Sequence, residues 1–263
     1  MAINFHNRPS LIAYVTCGDP DLTTTRDIIF AAIEAGADII ELGVPFSDPV
    51  ADGPVIQRAS QRALAHGTSL AQVLTLAAQI REQHQSTGLI LFSYLNPILQ
   101  MGTKKFSKVA RAAGLSGVLI TDLPVEEAGD YIAAMREHDL ATVFLAAPTS
   151  TDARLKAIAE ASSGFVYAVS RTGVTGARKQ LANDARELVS RLRKFTKLPI
   201  AVGFGISNAE QFAEVGRFAD GVVIGSAIVE TIERSAGNES RAVAQFIKQL
   251  LVVSRQSSAT TRV

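Results

Sequence analysis

Cysteine is almost missing: Cys17 is the one thiol in 263 residues. That excludes an intrachain disulfide and the paired-cysteine metal and redox centres, and it fits a reducing compartment. Histidine is scarce as well. His6, His66, His84 and His138 fall at the start of the chain or in expected helix and loop segments, without metal-ligand spacing and without an HExxH pattern. No metal is expected, and proton transfer falls to carboxylates or tyrosines. Neither sign of charge is in excess, with 26 Lys and Arg against 25 Asp and Glu for a net charge of +1. The densest basic run, Arg191-Leu192-Arg193-Lys194, is short and expected on a solvated helix face. Nucleic acid is therefore not the expected partner, because a phosphate backbone needs an extended basic footprint. Long apolar runs are missing too. Residues 1–8 contain no hydrophobic segment, and 11–15 is too short for a signal peptide or a membrane span. The expected location is cytoplasmic, away from membranes.

What is present is a steady alternation. Short apolar runs rich in Val and Ile, at 11–16, 38–42, 89–93, 117–120, 142–146, 165–168, 199–202 and 221–224, read as strands. Amphipathic stretches at 23–35, 70–83, 105–113, 125–137, 154–161, 182–195, 209–215 and 241–252 read as helices between and after them. Strands that are apolar throughout belong in a parallel sheet covered on both faces. Eight strand–helix units in one chain predict an α/β fold, a (β/α)8 TIM barrel. A doubly wound sheet is the alternative, but Thr16-Cys17-Gly18-Asp19-Pro20 after the first strand is a turn without a dinucleotide fingerprint. No linker divides the chain, so residues 1–263 are expected to form a single domain, with a small, polar, frayed tail at 254–263. The unusual residues collect at the C-terminal ends of the strands, where such barrels carry their chemistry: Asp19, Glu41, Tyr94, Asn96, Asp122, Tyr167, Arg171, Gly205 and Ser226.

The second strand runs into Glu41-Leu42-Gly43-Val44-Pro45-Phe46-Ser47-Asp48-Pro49, followed by Ala51-Asp52-Gly53-Pro54. Glu41 shares a strand face with Ile39 and Gly43. If that face points into the barrel mouth, desolvation raises the Glu41 pKa and equips it as acid and base; the alternative is a structural glutamate paired with an arginine or with backbone. Asp52 lies among Pro45, Pro49 and Pro54, which restrict the backbone. It reads either as a second functional carboxylate or as the N-cap of a helix at 55–65. Asp48 suits a turn or a partner contact. Asp122 reads as a candidate cap for the helix after strand four, and Tyr167 either lines the pocket or fills core.

Three glycine-bearing loops come late: Ser170-Arg171-Thr172-Gly173-Val174-Thr175-Gly176, Gly203-Phe204-Gly205-Ile206-Ser207 and Gly225-Ser226-Ala227-Ile228-Val229-Glu230. Glycine lets backbone N–H groups approach an anion, and a helix start adds partial positive charge. The loops after strands seven and eight are where such barrels hold phosphate, so a phosphorylated small molecule is expected. Each loop alone also reads as an ordinary turn.

Taken together, the Glu41–Pro54 motif and the three glycine loops resemble the tryptophan synthase alpha chain family over about residues 16–249. The resemblance implies retro-aldol cleavage of indole-3-glycerol phosphate to indole and glyceraldehyde 3-phosphate, a carbon–carbon lyase reaction in tryptophan biosynthesis. It implies Glu41 as the acid–base and Asp52 as acceptor of the indole N–H. Tyr14, Phe92, Tyr94 and Tyr167 become substrate-binding positions, with Thr175 a loop residue that meets Asp52 on closure. Gly176, Gly205, Gly225 and Ser226 become phosphate ligands, and 171–183 a lid. Tyr14 stands where many members carry Phe, and Phe92-Ser93-Tyr94-Leu95-Asn96-Pro97 is similar to cyanobacterial and plant versions. No cofactor is implied in this chain; pyridoxal phosphate belongs to a beta subunit joined in an alpha2-beta2 tetramer. Stand-alone indole-releasing lyases are the alternative, and a phosphoribosyl isomerase or an idle regulatory subunit are competing readings.

Overall fold

The computed structural model describes residues 3, 5, 9–169, 178–203 and 205–260, with 178–182 and 253–260 described by backbone alone. Eight strands close a parallel barrel in chain order: β1 (Ser10–Thr16), β2 (Ile39–Gly43), β3 (Gly88–Ser93), β4 (Gly117–Ile120), β5 (Ala141–Ala146), β6 (Val166–Val169), β7 (Ile200–Gly203) and β8 (Gly221–Ile224), with β8 paired back to β1. The surrounding helices are α1 (Leu22–Ala35), α2 (Pro54–Ala65), α3 (Leu70–Gln83), α4 (Leu95–Met101), α5 (Thr103–Ala112), α6 (Gly129–Glu137), α7 (Asp152–Ala161), α8 (Arg178–Leu192), α9 (Ala209–Val215), α10 (Ser226–Arg234) and α11 (Glu239–Thr260).

The strands are apolar throughout because their two faces feed two separate cores. Ile12, Ile39, Ile90, Leu119, Val143, Ala201 and Val223 point into the barrel with the aromatic rings of Tyr14, Phe92, Phe165 and Tyr167. Alternate residues such as Leu11, Ala13, Ile40, Leu42, Leu89, Leu91, Val222 and Ile224 pack outward beneath the helices. The period-2 side-chain alternation thus fills both layers from one short run.

Helices α2, α4 and α10 are additions between a strand's C-terminal end and the helix that completes its unit, so they lie on the loop face expected to carry chemistry. The first starts differently from expectation. The α2 start has Gly53 as N-cap and Pro54 in its first turn, so Asp52 is not its cap. The α4 turn had no assignment in the sequence; Pro97 fits within its first turn, where an N–H is not needed.

Three further segments differ. The stretch 125–137 breaks at Ala128 into a 3₁₀ turn (Val125–Glu127) and α6. Helix α8 begins at Arg178, so 178–183 of the expected lid is helical, while 171–177 lies outside the described residues. Helix α11 continues to Thr260 where 252 was the expected end. The basic run near the end of α8 is paired rather than free: Arg191 reaches Asp152 at 2.7 Å and Arg193 reaches Asp220. No helix of the described residues is long and apolar enough to cross a membrane.

Candidate active site

Glu41 lies inside the barrel, level in register with Tyr14 of β1 and Ile90 of β3. Its exposure is 0%, and neither carboxyl oxygen has a hydrogen-bond partner among the described residues. Burying an unpaired carboxylate costs several kcal/mol or more, so the group answers by holding its proton. Desolvation pushes its pKa from 4.5 to about 8. A structural glutamate would have an arginine or backbone donors against it; this one has none among the described residues.

Asp52 reaches the same space from the β2–α2 loop. Tyr94, buried at the end of β3, donates from Oη to Asp52 Oδ2 at 3.1 Å and accepts from the Ala51 N–H at 3.0 Å. Gln57 of α2 donates to the Asp52 carbonyl at 2.9 Å, and Phe46 stacks on the Tyr94 ring with centroids 5.0 Å apart. The carboxylate is therefore fixed from two strands. Partial burial raises its pKa from 3.8 to about 6, against the lowering effect of the Tyr94 hydrogen bond. At neutral pH the pair divides, with Glu41 protonated and Asp52 ionised.

Two tyrosines complete the walls. Tyr14 meets Phe92 edge to face at 5.1 Å, and Tyr167 tilts against Phe165 at 6.5 Å. Burial raises both phenol pKa values well above the usual 10, and the charges of Glu41 and Asp52 add to the effect on both. Tyr14 pairs in register with Glu41, and Tyr14 and Tyr167 share the inner core. The glycines opposite are spatially required: a Cβ on Gly43 would lie 2.4 Å from the Tyr14 oxygen, and one on Gly203 would lie 2.2 Å from the Tyr167 oxygen.

Gly205 turns the chain after β7 at φ +76°, and Gly225 caps α10, whose first residue is the exposed Ser226. The first helical N–H groups are unpaired by geometry at such a start, which suits an anion. Because β7 and β8 are neighbours, these two turns lie side by side. Thr175 and Gly176 lie outside the described residues.

Asp122, expected to cap the helix after β4, instead accepts from the Leu95 N–H at 2.7 Å and so caps α4 of the preceding unit. Asp48 sits in a turn closed by the Val50 N–H on its carbonyl at 2.9 Å. One feature had no reading in the sequence. Arg62 of α2 forks onto Asp19 at 2.7 and 2.8 Å and also reaches Glu233 of α10, while Arg58 forks onto Glu233 at 3.0 and 2.7 Å. Asp19 is only 2% exposed. The network ties the β1–α1 loop, α2 and α10 together; its sequence traces are Asp19 at the end of the first strand and the four-residue spacing of Arg58 and Arg62. Among the described residues no group of His, Cys, Asp and Glu could hold a metal ion.

The family model described as tryptophan synthase alpha chain matches residues 1–259. The chain belongs to the tryptophan synthase alpha chain family. An alpha chain from Solibacter usitatus is 54% identical over 230 residues, covering 88% of this chain and 86% of the relative. The crystal structure of the alpha subunit from Legionella pneumophila superposes with a TM-score of 0.87 at 35% identity, covering 94% of this chain and 93% of that one. A chain of the tryptophan synthase complex from Pyrococcus furiosus gives a TM-score of 0.84 at 37% identity, covering 93% of this chain and 98% of that one. Membership in the tryptophan synthase alpha chain family thus runs through the whole barrel, including the β2 loop and the β8–α10 turn.

Proposed function

We propose that this chain cleaves indole-3-glycerol phosphate to indole and glyceraldehyde 3-phosphate as the lyase half of tryptophan synthase. The observation that carries the reading is Glu41: fully buried inside the barrel, without a hydrogen-bond partner among the described residues, and pushed by that burial towards its protonated form. Its carboxylic acid gives a proton to indole C3, which makes the ring an electron sink. Ionised Asp52 accepts the ring N–H and stabilises the positive charge. The Glu41 carboxylate then takes the proton of the glycerol hydroxyl next to the ring. The carbon–carbon bond breaks, its electrons return to the indole, and the hydroxyl carbon becomes the aldehyde of the second product. Proton transfer of this kind contributes about 10²–10⁴-fold to rate. Tyr14, Phe92 and Tyr167 pack around the indole, and Tyr94 holds Asp52 in place. Gly205, Gly225 and Ser226, with Gly176 of the preceding loop, receive the phosphate, and Thr175 meets Asp52.

The chain itself is the half without pyridoxal phosphate; that cofactor serves the beta subunit, which condenses the released indole in the cytoplasm. Val50 on the Asp52 loop, at 85% exposure, and Leu99 on α4, at 56%, are large apolar side chains left in solvent on these two segments, and they support docking of the beta chain there. The decisive experiment follows indole release from indole-3-glycerol phosphate by the isolated chain, then with beta subunit added. Glu41→Gln is expected to bind substrate and release no indole; near-normal turnover overturns its role. Stimulation by the beta chain supports the complex, whereas high activity alone favours the stand-alone lyase.

A further inference from the structure

Tyr14 carries a hydroxyl that packing alone does not explain. Its ring already fills its place in the inner core, edge-on to Phe92 and beside Gly225, where an added Cβ would stand 3.6 Å from the tyrosine's Cβ. Burying a hydroxyl costs desolvation that a plain ring avoids. Here the phenol oxygen extends over Gly43, a position that has to be glycine to admit it. Gly43 is the next inward residue above Glu41 and the root of the loop that leads to Asp52. The oxygen therefore lies over the backbone that links Glu41 to the loop carrying Asp52.

Among the described residues this hydroxyl accepts a hydrogen bond from Thr16 Oγ1 at 3.4 Å. Acceptance leaves the phenolic proton to be given elsewhere. Across the strand register, Glu41 has two buried oxygens with no donor among the described residues. Besides Glu41, the ionisable groups facing the phenol among the described residues are Asp52 from the β2–α2 loop, Cys17 beyond the end of β1 and Tyr167 from β6. The inner faces of β3, β4, β5, β7 and β8 present Ile90, Phe92, Leu119, Val143, Ala201 and Val223, none of them ionisable.

We propose that Tyr14 is a positioning residue whose hydroxyl donates a hydrogen bond to whichever of Glu41 and Asp52 is ionised during turnover. This rests on the acid–base reading of the pair given above. A donor that favours the charged carboxylate lowers its pKa, so removing the donor raises it. The phenol would thereby draw the pair's working range down towards neutral pH, against the desolvation that pushes it up.

Tyr14→Phe keeps the ring and deletes only the donor. The test measures kcat and KM for indole-3-glycerol phosphate from pH 5 to 9 in wild type and variant, with thermal midpoints for both. The expected result is a KM within about twofold and a pH–activity profile moved to higher pH by about half to one unit, the effect of one hydrogen bond to a charged group. At pH 6, close to the Asp52 value of about 6, this appears as about a two- to fivefold lower kcat. Thr16→Val is the companion variant, since it loosens the same corner and leaves the phenol in place. A folded Tyr14→Phe enzyme with an unmoved profile overturns the inference, and so does Thr16→Val moving the profile equally far. Wild type that releases no indole overturns the proposed function instead, which keeps the two failures apart.

Discussion

Replacing Glu41 by Gln is expected to make the protein more stable as pH rises, at the same time as it stops the reaction. In the unfolded chain the carboxyl ionises near 4.5, and in the barrel near 8. Between those values the unfolded state has lost the proton and the folded state keeps it, so rising pH favours unfolding. The contribution favouring the fold is complete below 4.5 and is lost as pH climbs to about 8. The difference of about 3.5 units corresponds to about 5 kcal/mol at full development, and to about 3 kcal/mol at pH 7. Glutamine has nearly the same shape and no proton to lose, so the variant lacks this pH-dependent penalty.

The assay is thermal or urea unfolding of both proteins at pH 5, 7 and 9. The advantage of Glu41→Gln over wild type should grow by about 4 kcal/mol from pH 5 to pH 9, equivalent to a relative gain in midpoint of about 8–16 °C. The constant offset between the two side chains cancels in that comparison. Parallel stability curves across pH would refute the claim that Glu41 is held protonated by burial.

Asp52→Asn should lower indole release more than about tenfold while shifting the thermal midpoint little, because the side chain does not cap α2; a stability loss matching the activity loss would restore the capping role. Arg62→Leu strands the buried Asp19 carboxylate and should cost about 2–4 kcal/mol once the partial exposure of the arginine is allowed for, read as a lower unfolding midpoint at pH 7. Unchanged stability would show that the network is ornamental. Gly203→Ala forces a methyl into the space of the Tyr167 hydroxyl and should cut kcat more than about tenfold with the barrel still folded by circular dichroism, whereas full activity would show that the ring moves freely.

The barrel was readable because strand faces repeat every second residue and each run is buried twice over. Runs such as 117–120 and 221–224 carry enough Val, Ile and Leu to mark a strand without its neighbours. Glu41 was legible for the same reason, since one carboxylate interrupts a strictly apolar run and its face follows from alternation with Ile39. What could not be read depends on contacts between distant segments. The hydrogen bond from Tyr94 to Asp52 joins two loops that sequence spacing does not relate. Asp122 has the local signature of a cap, but chain distance does not say which helix start it meets. The α4 turn is short, seven residues at Leu95–Met101, and Pro97 within it fits a helix only because it falls in the first turn. Arg58, Arg62 and Glu233 look like ordinary surface charges until the first, second and last units of the barrel are brought together around Asp19.

The two glycines that face Tyr14 and Tyr167 set a limit on how this pocket can change over generations. Each aromatic hydroxyl and the bare backbone opposite form a lock and its keyhole on adjacent strands, β1 with β2 and β6 with β7. A side chain at either keyhole is barred while its tyrosine stays, and shortening the tyrosine first leaves a hollow in the wall. Single substitutions therefore pass through a poorer pocket, and the pairs are expected to be inherited, or exchanged, together.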